Sequence, residues 1–311
     1  MIASLRHLEQ ARWIGPLLYA LGFLVPLLLN ANWITILALF AIYAILALSQ
    51  DIVLGRAGMY DMGHAVYFGI GAYVSAILNV EFGWPILWTL PVAILIAGLA
   101  GFLLASPIVR LRGDYLLVAT IGFNEIFQLA MTNNLFGLTG GPNGIFGIGV
   151  PTLFGHALQS QGDLFWLDWI ALGLVLLLIY NLERSEFGRS LRYLKEDELA
   201  ASSLGVNPRA YKLWAFALAA GLAGAAGTLF AIQLSTISPG AFDFTQSVTL
   251  FAIVIVGGQA SIPGVLLGTA LMFVVPQVFR ELANARYFVF GIAMIAVMIL
   301  RPQGLWPSRS S

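Results

Sequence analysis

Apolar runs about twenty residues long follow one another along this chain, and each is the length needed to cross a hydrocarbon core. They occupy 13–30, 32–50, 57–80, 84–109, 115–137, 164–182, 213–235, 247–279 and 287–300. The run at 32–50 contains no charged residue. Only 10% of the 311 residues are charged, against about 25% in a soluble domain. Polar groups so sparse cannot cover a surface in water. The sequence therefore predicts an all-α, polytopic transmembrane helix bundle, a single domain over 1–311 with the lipid bilayer as its solvent.

The run at 247–279 decides the number of spans. It is interrupted by GGQASIPG at 257–264, with three glycines and a proline. One tilted helix here gives nine spans and two short helices give ten. Glycine and proline are poor residues for a helix centre, which favours ten. An interrupted helix in a membrane needs protein or water to satisfy its backbone, so the break belongs inside the bundle.

Charge then orients the bundle. Arg6 and Arg12 precede the first run, and no small-x-small cleavage pattern follows it at LLLNANW. The run is read as a retained first span with the N-terminus in the cytoplasm. Arg56, Arg110 and Arg112 then fall inside, and 138–163 and 236–246, free of Lys and Arg, fall outside.

The formal net charge is zero and no basic stripe exists, which excludes nucleic acid as a partner. There is no cysteine, and His7, His64 and His156 are far apart, so no metal site is expected. Neither HExxH nor GxSxG occurs, and no catalytic residue is expected on this chain.

One segment breaks the apolar pattern. Residues 183–212 hold six basic and five acidic side chains, including Lys195 and Lys212, the only lysines. Orientation puts this segment in the cytoplasm. On a helix over 187–203, Phe187, Leu191, Leu194 and Ala201 share one face. Leu204-Gly205 and Asn207-Pro208 then form a stop and a turn. A loop lying on the inner leaflet should be net basic; this balanced one also suits a protein groove. Neither lysine follows a glycine, so neither can serve a phosphate-binding P-loop. If ATP drives anything here, another chain hydrolyses it.

Several polar residues lie within or beside the apolar runs. Glu125 is the clearest buried ionisable candidate, with Asn124 beside it and Gln128 and Thr132 on its helical face. A carboxylate at this depth usually faces the bundle interior or a water cavity, either as a pathway group or as an interhelical hydrogen bond. Asp61 and His64 are one helical turn apart and could pair, as a structural pair or a proton relay. Asp51 and Arg56 read as interfacial charges. The loop 138–145, with Thr139, Gly140, Gly141 and Asn143, could shape an outer mouth or simply be a tight turn.

Six ordered motifs resemble one family. They are GRAGMYDMGHAVYFGIGAYVSAIL at 55–78; Leu111, Arg112, Gly113, Tyr115, Leu116 and Glu125; LTGGPNGI at 138–145; the segment FGRSLRYLKEDELAASSLGVNPRAYKLWAFALAAGLAGAAGTLFA from 187; ISPGAFDF with VGGQASIPGVLLG; and LRPQGLW at 300–306. Together they are similar to the branched-chain amino acid permeases, LivM type, of ABC importers. The resemblance implies a bacterial or archaeal inner-membrane permease for branched-chain or other small neutral amino acids. It implies a second permease subunit, two cytoplasmic ATPases holding ATP and Mg, and an external solute-binding protein, with no cofactor on this chain. It further implies that 183–212 is the coupling loop, with Arg192, Glu198, Ala200, Ala201 and Gly205 at the ATPase contact. Leu199 separates the charged residue from the first alanine, so the order of that signature is not strict. An ion-coupled secondary carrier using Glu125, Asp61 and His64 is the alternative from another class. A urea or amide permease or channel is a third.

Overall fold

A computed structural model describes residues 19–111, 113–153, 155–278, 295 and 304–306. The expected last span at 287–300 lies almost wholly outside the described residues, as do Arg112 and the basic residues Arg6 and Arg12. Among the described residues six helices are long and apolar enough to cross a membrane, and two shorter apolar ones accompany them. The protein is a multi-pass membrane protein, mostly helical.

The centre of the bundle is built on small residues. Helix α1 is Ala31–Asp51, α2 is His64–Val80, α3 is Ile86–Ile108, α4 is Asp114–Thr132 and α5 is Gln161–Arg184. After two short helices, α6 (Glu186–Glu196) and α7 (Glu198–Ser203), comes α8 (Pro208–Leu234), which is buried along most of its length. A methyl on Gly71 of α2 would strike the Gly224 carbonyl of α8, and one on Gly227 would strike the Phe68 carbonyl. On the other side, a methyl on Gly101 of α3 would strike the Ala220 side chain. In lipid, where no hydrophobic effect drives helices together, such close backbone approach supplies the packing energy. Ser75 and Thr228 add a buried hydrogen bond of 2.7 Å between α2 and α8.

The run at 247–279 is broken. Helix α9 (Phe244–Gly257) and helix α10 (Ile262–Thr269) are separated by a turn in which Gly258 has φ +123° and Ala260 φ +55°. Ser261 caps α10 by accepting from the Gly264 N–H at 3.2 Å. The two helices run antiparallel, with Gly257 against Gly264 and Gly268 against the Ile253 carbonyl. A single tilted helix through 247–279 is thereby ruled out. Helix α10 continues through a π-helical turn, Ala270–Val274, into α11, Val275–Val278.

Three boundaries differ from the sequence expectation. The run 57–80 becomes helical only at His64, because Gly58 has φ +68° and the chain stays irregular up to Gly63. The run 115–137 stops at Thr132, where Asn134 adopts the left-handed region. The expected helix 187–203 is two helices. Asp197 is extended, and its carboxylate accepts from the Leu199 and Ala200 N–H groups, ending α6 and capping α7. Asp at an N-cap satisfies donors that a continuous helix would have used internally.

Contacts define two ends of the bundle. At one lie the C-termini of α1, α3, α5 and α9, the starts of α2, α4, α8 and α10, and the segment 183–212; this is the loop end. At the other, strand β1 (Ile145–Phe146) pairs antiparallel with β4 (Thr236–Ile237), and β2 (Thr152–Leu153) pairs with β3 (His156–Ala157). Every described Lys and Arg sits at the loop end: Arg56, Arg110, Arg184, Arg189, Arg192, Lys195, Arg209 and Lys212.

Candidate functional site

The charged segment folds into a small platform. Ser185 caps α6 through the Gly188 N–H, and Asn207 caps α8 through the Ala210 N–H with Pro208 in the first turn. Leu191 and Leu194 of α6 and Ala201 of α7 are buried, and Phe187 stacks on Tyr211 with ring centroids 5.4 Å apart. Glu198 pairs with Lys212 at 3.0 Å, which ties α7 to the start of α8. Gly205 ends α7 with φ +89°. The tip between these anchors is apolar and bare. Leu199 is 80% exposed and Leu204 81%, with Ala200 and Arg192 exposed beside them.

The expected coupling residues therefore divide. Arg192, Ala200 and Gly205 are presented outward, Glu198 is held in an internal ion pair, and Ala201 is inside the platform at 2% exposure. A larger side chain at Ala201 would disrupt the platform itself. The sequence offered no sign of this division, because Ala200 and Ala201 differ only by one helical step of about 100°.

Above the platform lies a polar cluster at the loop end. Asp51 and Arg56, expected at the interface, are buried instead. The cause is local: α1 passes into a π-helical turn, Ile52–Arg56, which folds the guanidinium back onto Asp51, with Nε 3.2 Å from Oδ2. Arg56 Nη1 reaches the Glu183 carboxylate at 2.8 Å. Asp51 Oδ1 accepts from the Ala260 N–H at 2.8 Å. Lys195 of α6 donates to the Gly55 carbonyl at 2.7 Å and to Gln259 Oε1 at 3.2 Å. Burial lowers the Lys195 ammonium below its ordinary range, and the charges of Asp51 and Glu196 oppose that shift.

Asp61 and His64 do pair, at 3.1 Å, and both are fully buried. His64 Nε2 also lies 2.8 Å from Ser49 Oγ, and Asp61 Oδ1 accepts from the Gly63 N–H at 2.8 Å. The order Ser-His-Asp matches a hydrolytic triad, but all three side chains are sealed from solvent and no substrate could reach them. They lock the start of α2 onto α1, together with Gln50, which donates to the Asp61 carbonyl at 2.7 Å.

Helix α4 differs from its expected orientation. Asn124 is the buried residue, accepting from Ser247 Oγ at 2.9 Å and donating to the Phe242 carbonyl at 3.4 Å. Glu125, expected inside the bundle, is exposed, with Gln128 half-buried beside it. One residue along a helix is a turn of about 100°, so Asn124 facing inward carries Glu125 to the outer side. Tyr115, Val118 and Leu129 share that outer face, and a methyl on Gly122 would meet nothing within 4 Å.

At the far end, the loop after α4 is built around Asn134. Its Oδ1 accepts from the Thr139 and Gly140 N–H groups, both at 3.0 Å. Thr139 is buried, Gly141 is buried, and Gly140 and Asn143 are exposed. Gly144, at φ +79°, packs on the Ile237 carbonyl where a side chain would collide, and this closes the β1–β4 pair. Among the described residues no group of three or more His, Asp or Glu could hold a metal ion.

The family profile described as "branched-chain amino acid transport system / permease component" matches residues 32–298. The Escherichia coli K12 high-affinity branched-chain amino acid transport system permease protein LivM is 39% identical over 305 residues, covering 91% of this chain and 72% of its own length. A probable branched-chain amino acid transport permease protein LivM of Methanocaldococcus jannaschii is 26% identical, covering 88% of this chain and 93% of its own. The permease protein LivH of the Escherichia coli high-affinity system is also 26% identical, covering 85% and 90%. No solved structure matches the chain.

Proposed function

This chain belongs to the branched-chain amino acid transport permease family, and we propose that it is the membrane-spanning subunit of an ATP-driven importer for branched-chain or related small neutral amino acids. The observation that carries the proposal is the platform at 183–212: a charge-balanced base holding an apolar tip, Leu199 and Leu204, on the end that carries every described basic residue. The positive-inside rule assigns that end to the cytoplasm of a bacterial or archaeal cell. An exposed apolar tip on a segment that also exposes Arg189 and Arg192 suits the groove of a cytoplasmic ATPase. ATP, Mg and hydrolysis belong to that partner, and this chain performs no chemistry.

Ten crossings fit this assignment. Helix α10 leaves the loop end, and Gly304–Trp306 are back at it, where the Leu305 and Trp306 N–H groups reach the Val256 and Gly257 carbonyls. The N-terminus then lies in the cytoplasm. The outer face of α4 supports a second permease subunit. Helix α3 is equally bare, but its outward residues Trp88, Leu95, Leu99 and Leu103 are all apolar and suit lipid. A glutamate facing lipid at mid-span is costly, whereas a second subunit can meet Glu125 across a shared pathway, with Gly122 allowing close approach. Two distinct permease proteins of one Escherichia coli system resemble this chain, which favours a heterodimer. Glu125 and Gln128 are then near the amino acid's route, while the buried Asn124, Asp61 and His64 hold the helices behind it. Thr139, Gly140, Gly141 and Asn143 shape the outer mouth, where a solute-binding protein would deliver its cargo.

The test is reconstitution of this chain in proteoliposomes with a homologous second permease, the ATPases and the binding protein. Uptake of labelled leucine, isoleucine or valine that needs ATP and all partners supports the reading. Uptake by this chain alone under a proton or sodium gradient would make it a secondary carrier. Gradient-limited flux of urea or amides would make it a channel.

A further inference from the structure

Movement at the ATPase contact could reach the pathway by two routes. One runs along α5 and α8, the helices that the platform joins. The other crosses space, from the platform to the broken hairpin α9–α10. The side chains favour the second. Lys195 leaves α6, passes Gly58 and ends on Gly55 and Gln259. A methyl on Gly58 would lie 2.9 Å from Lys195 Cγ, so the lysine stem has its room because that residue is glycine. At the platform's other edge, Glu183 holds Arg56 at 2.8 Å, and Arg56 holds Asp51. Asp51 in turn holds the Ala260 N–H, and Ala260 carries φ +55° within the break. The platform is therefore attached twice to one π-helical turn, and that turn is attached to the residues joining α9 to α10.

We propose that Lys195, with Gln259 and the Asp51–Arg56–Glu183 chain, is a rigid strut that carries displacement of the platform into the α9–α10 break. These are positioning residues for transport: they touch neither nucleotide nor amino acid. The lever is long. Residues 262–278 run about 25 Å from the break at 1.5 Å per residue, so a tilt of roughly 5° at the base moves the far end by about 2 Å, the scale of interface helix shifts. Along that length Phe273 stacks on Tyr43 of α1, with ring centroids 4.3 Å apart, so the tilt is felt deep in the bundle.

The inference rests on the platform being the ATPase contact, and the two can fail separately. In the reconstituted complex, three quantities are read: co-purification of the ATPases, ATP hydrolysis, and amino acid imported per ATP. Lys195→Met keeps the stem and removes the charge. It should leave assembly and hydrolysis intact and lower import per ATP about tenfold, within the usual range of coupling energies. Lys195→Arg should restore most of the loss. Gln259→Leu should lower the ratio in the same direction and add little in the Lys195→Met background. Unchanged import per ATP in Lys195→Met overturns the strut. So does loss of assembly in that variant, which would make Lys195 a docking or folding residue. Intact assembly in a variant stripped of Leu199 and Leu204 overturns the docking reading instead, whatever Lys195 does.

Discussion

Replacing Leu199 and Leu204 by serine tests the docking surface with a magnitude that follows from their exposure. Fully burying a leucine is worth about 1.5–3 kcal/mol. The two side chains are 80% and 81% exposed, so about four-fifths of that, roughly 1.2–2.4 kcal/mol each, is still to be gained on contact. If both bury in an ATPase groove, the double variant loses about 2.4–4.8 kcal/mol of association, or about 50-fold to 3,000-fold in Kd at 1.4 kcal/mol per decade. The permease should not notice. Exposed substitutions usually change stability by less than about 0.5 kcal/mol, and both side chains lie outside the packing of Leu191, Leu194 and Ala201. The assay is titration of labelled ATPase onto the permease pair in nanodiscs, with thermal unfolding as the control. A change in Kd below about fivefold, with the permease still folded, refutes the argument, because less than 1 kcal/mol would then come from the two leucines together.

Arg56→Met should destabilise the folded permease by about 3–5 kcal/mol, because it strands Asp51 and Glu183 without their cation; the Asp51→Asn, Arg56→Met double variant should recover part of this, read as unfolding temperature in detergent. Gly122→Ala meets open space in the single chain and should leave its stability unchanged or slightly raised, yet weaken pairing with the second permease; unchanged pairing would place the subunit contact elsewhere. Because burial lowers the Lys195 ammonium, the strut should lose its proton at a lower pH than an exposed lysine would. Import per ATP should then fall as pH rises on the alkaline side, and Lys195→Arg should abolish that limb, since arginine stays charged throughout. The charged groups facing Lys195 are Asp51 and Glu196, with Arg56 on the same turn, and loss of the limb in Lys195→Arg is what assigns it to the lysine.

The six long helices were legible because hydropathy is summed over twenty residues and tolerates error at the ends. The break at 258–261, within the expected interruption 257–264, was legible because Gly and Pro have few roles inside a helix. What failed was single-residue direction. Polar positions 124, 125, 128 and 132 span more than one face of α4, and the sequence does not say that Asn124, bonded to Ser247, takes the inside. Asp197 was hidden in a good amphipathic pattern, where a cap and a helical interior compete. The largest omission was the cluster around Asp51. Its partner Ala260 lies 209 residues away, and local patterning holds no signal at such a distance. The one local clue was Arg56, a charge five residues beyond Asp51 at the end of an otherwise apolar run.

The two halves of the bundle are held by different physics, and this determines which can move. Between α2, α3 and α8 the helices meet glycine against carbonyl or alanine, with no room for a methyl group on Gly71, Gly101 or Gly227. At the loop end the backbone is irregular in three neighbouring places: the π-helical turn 52–56, the approach to α2 at 57–63, and the break at 258–261. Side chains satisfy it there: Gln50 on the Asp61 carbonyl, Thr120 on the Met62 N–H, Asp51 on the Ala260 N–H and Lys195 on the Gly55 carbonyl. Each such bond has a net worth of about 1 kcal/mol, and together they hold the three irregular segments as one unit. The bonded unit at the loop end therefore moves with the platform, and leaves the small-residue core as the fixed body against which α9 and α10 tilt.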